Sequence, residues 1–323
     1  MRAGPALALV VFAAYSDWFV HQPREWIDAK ASEWPSFIVS AILATGDPAG
    51  DITDALGITG RDAVCKYDGR VPSGETLFAG APVRRKAPAP DDIKIFEQGD
   101  FTVGWSPSLR HPAWCAYHVV PEIKFEVDPK RPNFKKDGKA KSSPAPSAYK
   151  ATGYDRGHMA PNYAIASRYG KEMQKKTFLM SNIAPQRPGL NRGVWRDVEH
   201  RISKAWPRKW SEIWVIAGPL DTQEGNKLPE SGINLPEAFW QVVAAVKDGE
   251  LRAFAVVFEQ DVPRREWPTR HLTSIRDLEE ATGLDFFPEL ERGLQDEIET
   301  QTPTRLWPTS FIDAFANIWF RGI

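Results

Sequence analysis

Apolar positions along the chain fall into short blocks of two periods. Across residues 22–45, Trp26, Ile27, Trp34, Phe37, Ile38, Ile42 and Leu43 recur at three- and four-residue spacing, a helical pattern broken at Pro35. Gly46 to Gly50 is rich in turn residues, and residues 80–92, heavy in Pro, Ala and Arg, predict an extended connector. Phe101–Val103 and Trp114–Val119 are aromatic and β-branched runs, set off by Pro107 and Pro112, and predict strands. Residues 129–149 carry Pro, Ser and Lys without period and predict a loop. Lys176–Ser181 reads as a buried strand. Asn191–Trp206 predicts one helix, with Val194, Val198, Ile202, Ala205 and Trp206 on a single apolar stripe. Ile213–Ala217 predicts a central strand ended by Gly218 and Pro219. Phe239–Val246 and Leu251–Phe258 flank Lys247-Asp248-Gly249-Glu250, a hairpin signal. Ser274–Glu280 predicts a polar helix stopping near Gly283. The last stretch is acidic and then aromatic, from Trp307 to Trp319.

Composition narrows this picture. A chain of 323 residues, 42% hydrophobic and 26% charged, has ordinary globular make-up and ample length for a core. Its net charge of -1 excludes nothing, but the distribution does more: Lys130 to Trp210 holds 19 Lys/Arg against 5 Asp/Glu, where the whole chain has 41 against 42. A basic centre in an otherwise acidic chain suits a polyanionic partner, although charge runs are often only solvated surface. The two cysteines, Cys65 and Cys115, have no CxxC or Cys/His metal spacing, which argues against a structural zinc; one disulfide or two buried thiols both fit. Arg2 followed by the apolar run Pro5–Tyr15 reads as a signal peptide, with Ala14-Tyr15-Ser16 as cleavage site, or as a short anchor interrupted by Asp17. The expected location is therefore exported, periplasmic or secreted, or anchored by the N-terminus. The expected divisions are 1–20 signal or anchor, 21–60 helical extension, 61–290 main domain and 291–323 C-terminal extension.

Chemistry concentrates in the basic centre. Tyr154-Asp155-Arg156-Gly157-His158 is followed by Asn182-Ile-Ala-Pro185-Gln186, then Leu190-Asn191 and Trp195-Arg-Asp-Val-Glu199. Hydrolysis of a phosphodiester needs a base active near neutral pH, which histidine supplies, and cationic groups on the phosphoryl oxygens. Mg²⁺ suits such a site because it takes few protein oxygen ligands. Asn191, Trp195 and Glu199 lie on one helical row at i, i+4, i+8 spacing, a row that would present Asn191 to a metal and Glu199 to its bound waters. The plainer readings are a hydrogen-bonded structural histidine, a helix N-cap at Asn191, a solvated helix face at Glu199 and an exposed loop arginine at Arg131. His111 and His118 read as structural, and Asn182 and Gln186 as supporting hydrogen-bonders.

These motifs resemble the DNA/RNA non-specific endonuclease family, whose hallmark Asp-Arg-Gly-His is intact at 155–158. Arg131-Pro-Asn-Phe134-Lys-Lys-Asp137 is similar to an upstream element of that family, and Ser274 to Phe287 to its C-terminal helix; the resemblance covers about residues 60–290. It implies an α+β fold, a ββα-metal nuclease core on a mixed, mainly antiparallel sheet with flanking helices. It further implies His158 as general base, Asn191 as the direct protein ligand of Mg²⁺ with Mn²⁺ able to substitute, Glu199 holding the metal's waters, and Arg156 and Arg131 on the phosphate. Asp155 would anchor the loop structurally. DNA and RNA would bind through backbone phosphates; homodimerisation is left open. Two positions depart from the pattern: Tyr163 stands where the family often has a small residue, and Ser203 where it often has arginine, leaving a third phosphate-binding cation unassigned. The alternatives are an antibacterial nuclease toxin, separable by toxicity on expression, and a catalytically silent nucleic-acid-binding protein, separable by a nicking assay.

Overall fold

A computed structural model describes residues 60–308 apart from 73, 222–225 and 265. The expectations for residues 1–20 and 21–60, and most of the aromatic tail, lie outside the described residues. Arg61–Leu306 form one compact unit. Its strands are β1 (Ala63–Lys66), β2 (Val83–Arg84), β3 (Lys94–Glu97), β4 (Phe101–Ser106), β5 (His111–Val119), β6 (Asp155–His158), β7 (Ile183–Gln186), β8 (Ile213–Leu220), β9 (Ala238–Lys247), β10 (Glu250–Glu259), β11 (Leu272–Thr273) and β12 (Leu284–Asp285). Its helices are α1 (Asn162–Thr177), α2 (Pro188–Arg192), α3 (Val194–His200), α4 (Trp206–Trp210), α5 (Ile275–Thr282) and α6 (Arg292–Glu299).

The main sheet runs β1-β10-β9-β8-β5-β4-β3, with β11 also on β10. Every strand pairing in it is antiparallel. The one parallel bridge among the described residues joins Lys135 to Leu179, outside the sheet. Alternation along the central strands sorts side chains to two faces. Trp114, Trp214 and Trp240 point to one face, where Ile275 and Leu278 of α5 and Ile298 of α6 complete the core. Phe239, Phe254 and Phe258 point to the other, where they meet Trp195 of α3 and Trp206 of α4 edge-on. Helices therefore cover both faces of the sheet, which explains why β4, β5 and β8 are buried along their length rather than alternately.

The hairpin expected at Lys247–Glu250 forms, with β9 and β10 in register from Glu250–Lys247 to Glu259–Ala238. α5 begins at the Ser274 cap, whose side chain accepts from Asp277 N, and ends at Gly283 in the left-handed region. Three expectations are corrected. Residues 176–177 close α1 and Met180–Asn182 is a 3-10 turn, so the strand expected at 176–181 begins only at Ile183. Gly218 and Pro219 continue β8 instead of ending it. The single helix expected over 191–206 is broken at Gly193 (φ -105, ψ -118), resumes as α3, passes through a π-turn at Arg201–Ala205 and ends as α4. Gly193 is needed there: a Cβ would collide with the Gly189 and Arg264 backbone. Both cysteines are buried free thiols, and three strands lie between β1 and β5, about 19 Å at ordinary strand spacing, so a bridge is out of reach.

Candidate active site

The Asp-Arg-Gly-His segment is strand β6, paired antiparallel with β7 so that Asp155 faces Gln186 and His158 faces Ile183. α1 connects the two strands, and β7 leads through Arg187 into α2 and α3. This is the two-stranded ribbon and helix that the resemblance implied. Gly157 has a steric cause: a Cβ at that position would overlap the Gln186 side chain, which is fully buried against it. Asn182 acts as a brace, accepting from Ala160 N (2.8 Å) and donating to the Ala160 and Thr177 carbonyls.

His158 lies with its ring 5.6 Å from Phe134 and 5.0 Å, edge-on, from Phe178. Its Nε2 is buried with no protein hydrogen-bond partner. Burial, reinforced by the positive charge of Arg131, pushes its pKa down to about 3, so the imidazole is neutral across the neutral range. Phe134 also carries the Arg156 guanidinium, 5.0 Å from its centroid. Arg156 is itself anchored, with Nε and Nη2 both donating to Pro146 O at 3.1 and 2.7 Å. The basic loop is thus no loose tether. Asp137 is buried, accepts from Gln98 and Ser181 with its carboxylate, and donates its backbone N–H to Ser143 Oγ; Lys135 exchanges backbone bonds with Phe178 and Met180. These anchors hold exposed Arg131 where its charge acts on both His158 and Glu199.

Asn191 sits in the last turn of α2, which excludes the N-cap role. Its Nδ2 donates to Asp155 Oδ2 at 2.9 Å. Arg192 grips the same carboxylate, Nε to Oδ2 at 2.8 Å and Nη2 to Oδ1 at 2.6 Å. Hydrogen bonding from Arg192 and Asn191 outweighs burial and lowers the Asp155 pKa. The break at Gly193 means that Asn191 and Glu199 do not share one regular helical row; the hairpin and the turn relate them. Glu199 is not on a solvated face. Its Oε1 accepts from Trp195 Nε1 at 3.0 Å, and burial raises its pKa to about 8 despite Trp195, Arg131 and Arg196. It also lies close enough to Tyr117 of β5 to raise that phenol further above its buried value.

The structure therefore groups His158 and Arg156 around Phe134, with the charge of Arg131 felt at both His158 and Glu199, and gathers Asn191 and Arg192 on the Asp155 carboxylate. Lys204 and Tyr163, two positions at or beside the family departures, meet in a cation–π contact of 4.8 Å. His111 and His118 pair with Asp221 and Glu212 away from this group, as expected of structural histidines. Sequence reasoning missed Arg192 and gave Asp155 only a loop role. Their pairing spans 37 positions, and no local signal carries it beyond the motif itself.

The sequence pattern of the DNA/RNA non-specific endonuclease family matches residues 81–293. The chain is 29% identical over 209 residues to the mitochondrial nuclease EXOG of Mus musculus, covering 59% of this chain and 56% of that protein. It thus spans little more than half the length of that relative. A nuclease of Serratia marcescens is 26% identical over 215 residues, covering 64% of this chain and 77% of that protein. Human mitochondrial endonuclease G is 26% identical over 220 residues, covering 62% and 72%. A chain in the crystal structure of an EndoG/EndoGI complex shares the fold with a TM-score of 0.57 at 23% identity, covering 69% of this chain and 95% of that one. With its hallmark on a two-stranded ribbon and its pattern matched over two thirds of its length, the chain belongs to the DNA/RNA non-specific endonuclease family.

Proposed function

We propose that the chain is a sugar-nonspecific endonuclease hydrolysing phosphodiester bonds of DNA and RNA. The observation that supports this best is a neutral His158 with a buried, unpartnered Nε2 beside the cationic Arg131. A neutral imidazole can take a proton from water; an approaching phosphate brings negative charge that raises its basicity from the depressed value toward the working range. Arg131, and the part of the Arg156 guanidinium not bound to Pro146, face the phosphoryl oxygens and offset charge that grows during displacement. Phe134 and Phe178 pack against the ring.

The donor set fits a hard divalent cation. Asn191 has its amide nitrogen committed to Asp155, which leaves its carbonyl oxygen to a ligand, and Glu199 adds a second oxygen group. Mg²⁺ held by Asn191, with Mn²⁺ as substitute, would supply positive charge to the scissile phosphate and the leaving oxygen. Glu199, held by Trp195, would hydrogen-bond water on such a cation. Contacts confined to phosphate carry no base information, so both DNA and RNA are accepted. Export or N-terminal attachment remains the reading of residues 1–20.

The test is cleavage of plasmid DNA and of RNA by wild type and His158→Ala, with chelator and with added Mg²⁺. Wild type should cut both polymers, lose activity with chelator and regain it with metal, while the variant cuts neither. Full activity in the variant, or cutting that ignores chelator, would overturn the reading.

A further inference from the structure

We propose that Arg192 decides which oxygen of the site is left to the divalent cation. It is a positioning residue that withholds the Asp155 carboxylate, so that the Asn191 carbonyl remains the direct protein ligand. The inference rests on the metal reading above and extends it to a residue outside the hallmark motifs.

The geometry is a carboxylate with three of its roughly four lone-pair positions occupied. Arg192 Nη2 donates to Asp155 Oδ1 at 2.6 Å and Nε to Oδ2 at 2.8 Å, the two parallel bonds of a guanidinium fork. Asn191 Nδ2 adds a third donor to Oδ2 at 2.9 Å. Asp155 is 19% exposed and Arg192 60% exposed, so the fork closes the carboxylate from the solvent side. Without it, an anionic oxygen group would stand beside the neutral amide of Asn191. Hard divalent cations prefer carboxylate to amide oxygen. Some feature of the site must therefore prevent Asp155 from becoming the ligand, and Arg192 does so in two ways. It occupies one lone-pair direction on each oxygen and it offsets the negative charge.

Two effects oppose each other when Arg192 is removed. Asp155 loses a partner and holds Asn191 less firmly, which weakens the intended ligand. Asp155 also becomes an available anion, which strengthens cation binding. A full negative charge outweighs one neutral hydrogen bond's worth of orientation. Loss of Arg192 is therefore expected to tighten cation binding while damaging turnover, because the cation shifts toward Asp155 and away from its productive place. An ordinary supporting residue gives the opposite sign, with weaker metal binding on removal. Lysine keeps the charge but lacks the planar fork, so Arg192→Lys should fall between.

The experiment titrates Mn²⁺ into the full chain by electron paramagnetic resonance, beside steady-state cleavage and a thermal melt. Arg192→Ala should bind Mn²⁺ about tenfold more tightly than wild type and lose about tenfold in kcat, with KM for nucleic acid changed much less. Arg192→Ala combined with Asp155→Asn should bring the affinity back toward wild type, since the freed charge is gone. Arg192→Lys should tighten binding by a smaller factor, and it carries the test if the alanine variant melts early. Unchanged or weaker Mn²⁺ affinity in Arg192→Ala and Arg192→Lys, beside a wild type that binds, overturns this inference alone. A wild type that binds no Mn²⁺ overturns the metal reading and this inference together.

Discussion

Removing the imidazole at position 158 separates chemistry from folding. His158 touches Phe134 and Phe178, but its Nε2 bonds nothing in the protein. His158→Ala should therefore cost at least about 10²–10⁴-fold in cleavage rate, the range for a lost general base, while the melting temperature moves little. Circular dichroism melts run beside the assay would expose a folding defect posing as a catalytic one. Arg131 is exposed and acts through charge, so Arg131→Ala should lower kcat/KM and reduce the log–log salt slope of binding by about 1. An unchanged salt slope would remove Arg131 from the phosphate. The histidine and the arginine were both legible as candidates because the motif places them in a basic tract. Asp155 was legible only as part of a motif. Its work, orienting the Asn191 amide under the grip of Arg192, depends on a contact between distant segments.

At the scale of elements, the ribbon of β6 and β7 is the piece that cannot be altered cheaply. Gly157→Ala would force a methyl into the Gln186 side chain and should destabilise the fold by about 1–3 kcal/mol, the usual cost of overpacking, with loss of activity at temperatures where wild type is stable. Retention of wild-type stability by that variant would mean that Gln186 can yield. Opposite the active-site face, α5, β12 and α6 are joined by Glu279, Asp285 and Glu299 around Arg276 and Arg85. Burial, with added repulsion between them, lifts Glu299 to about 8 and Glu279 to about 7. A carboxyl whose folded pKa is raised holds a proton that the unfolded chain has released. Stability from this cluster is therefore complete below the ordinary carboxylate pKa near 4.5 and declines as pH rises toward 8. The melting temperature should fall from pH 5 to pH 8.5, and Glu299→Gln, which mimics the protonated group, should flatten that fall. An identical pH profile in the variant would show that Glu299 is already ionised in the fold. Beyond the continuation of β8 through Gly218 and Pro219, the element boundaries that sequence periodicity missed lie at Gly193 and at 176–183. There a steric clash and a tertiary bridge from Lys135 decide where helix stops and strand begins.

Across the whole molecule, the linear charge asymmetry becomes a facial one. The basic stretch Lys130–Trp210 supplies the loop, the ribbon and α1 to α4, the active-site side of the sheet, whereas acidic α5 and α6 cover the other. Raising salt from 50 to 200 mM should therefore lower affinity for nucleic acid by more than about tenfold on DNA and RNA alike, as fluorescence anisotropy with chelator present would measure. Salt-independent binding would argue against this face as the phosphate surface.

What the sequence determined by itself was the local and the chemical. Alternating and helical periods marked most strands and α5, because burial selects apolar side chains at those spacings. The ordered Asp-Arg-Gly-His, Asn and Glu positions marked the family, because that chemistry tolerates few residue types. The tertiary structure alone decided the direction in which the imidazole's basicity is shifted, that the Asn191 amide nitrogen is bonded to Asp155, that Glu199 accepts from Trp195, and that Cys65 and Cys115 stay apart. Each of those depends on a desolvation or a contact between segments far apart in the chain. No pattern along a single strand of residues encodes the distance between them.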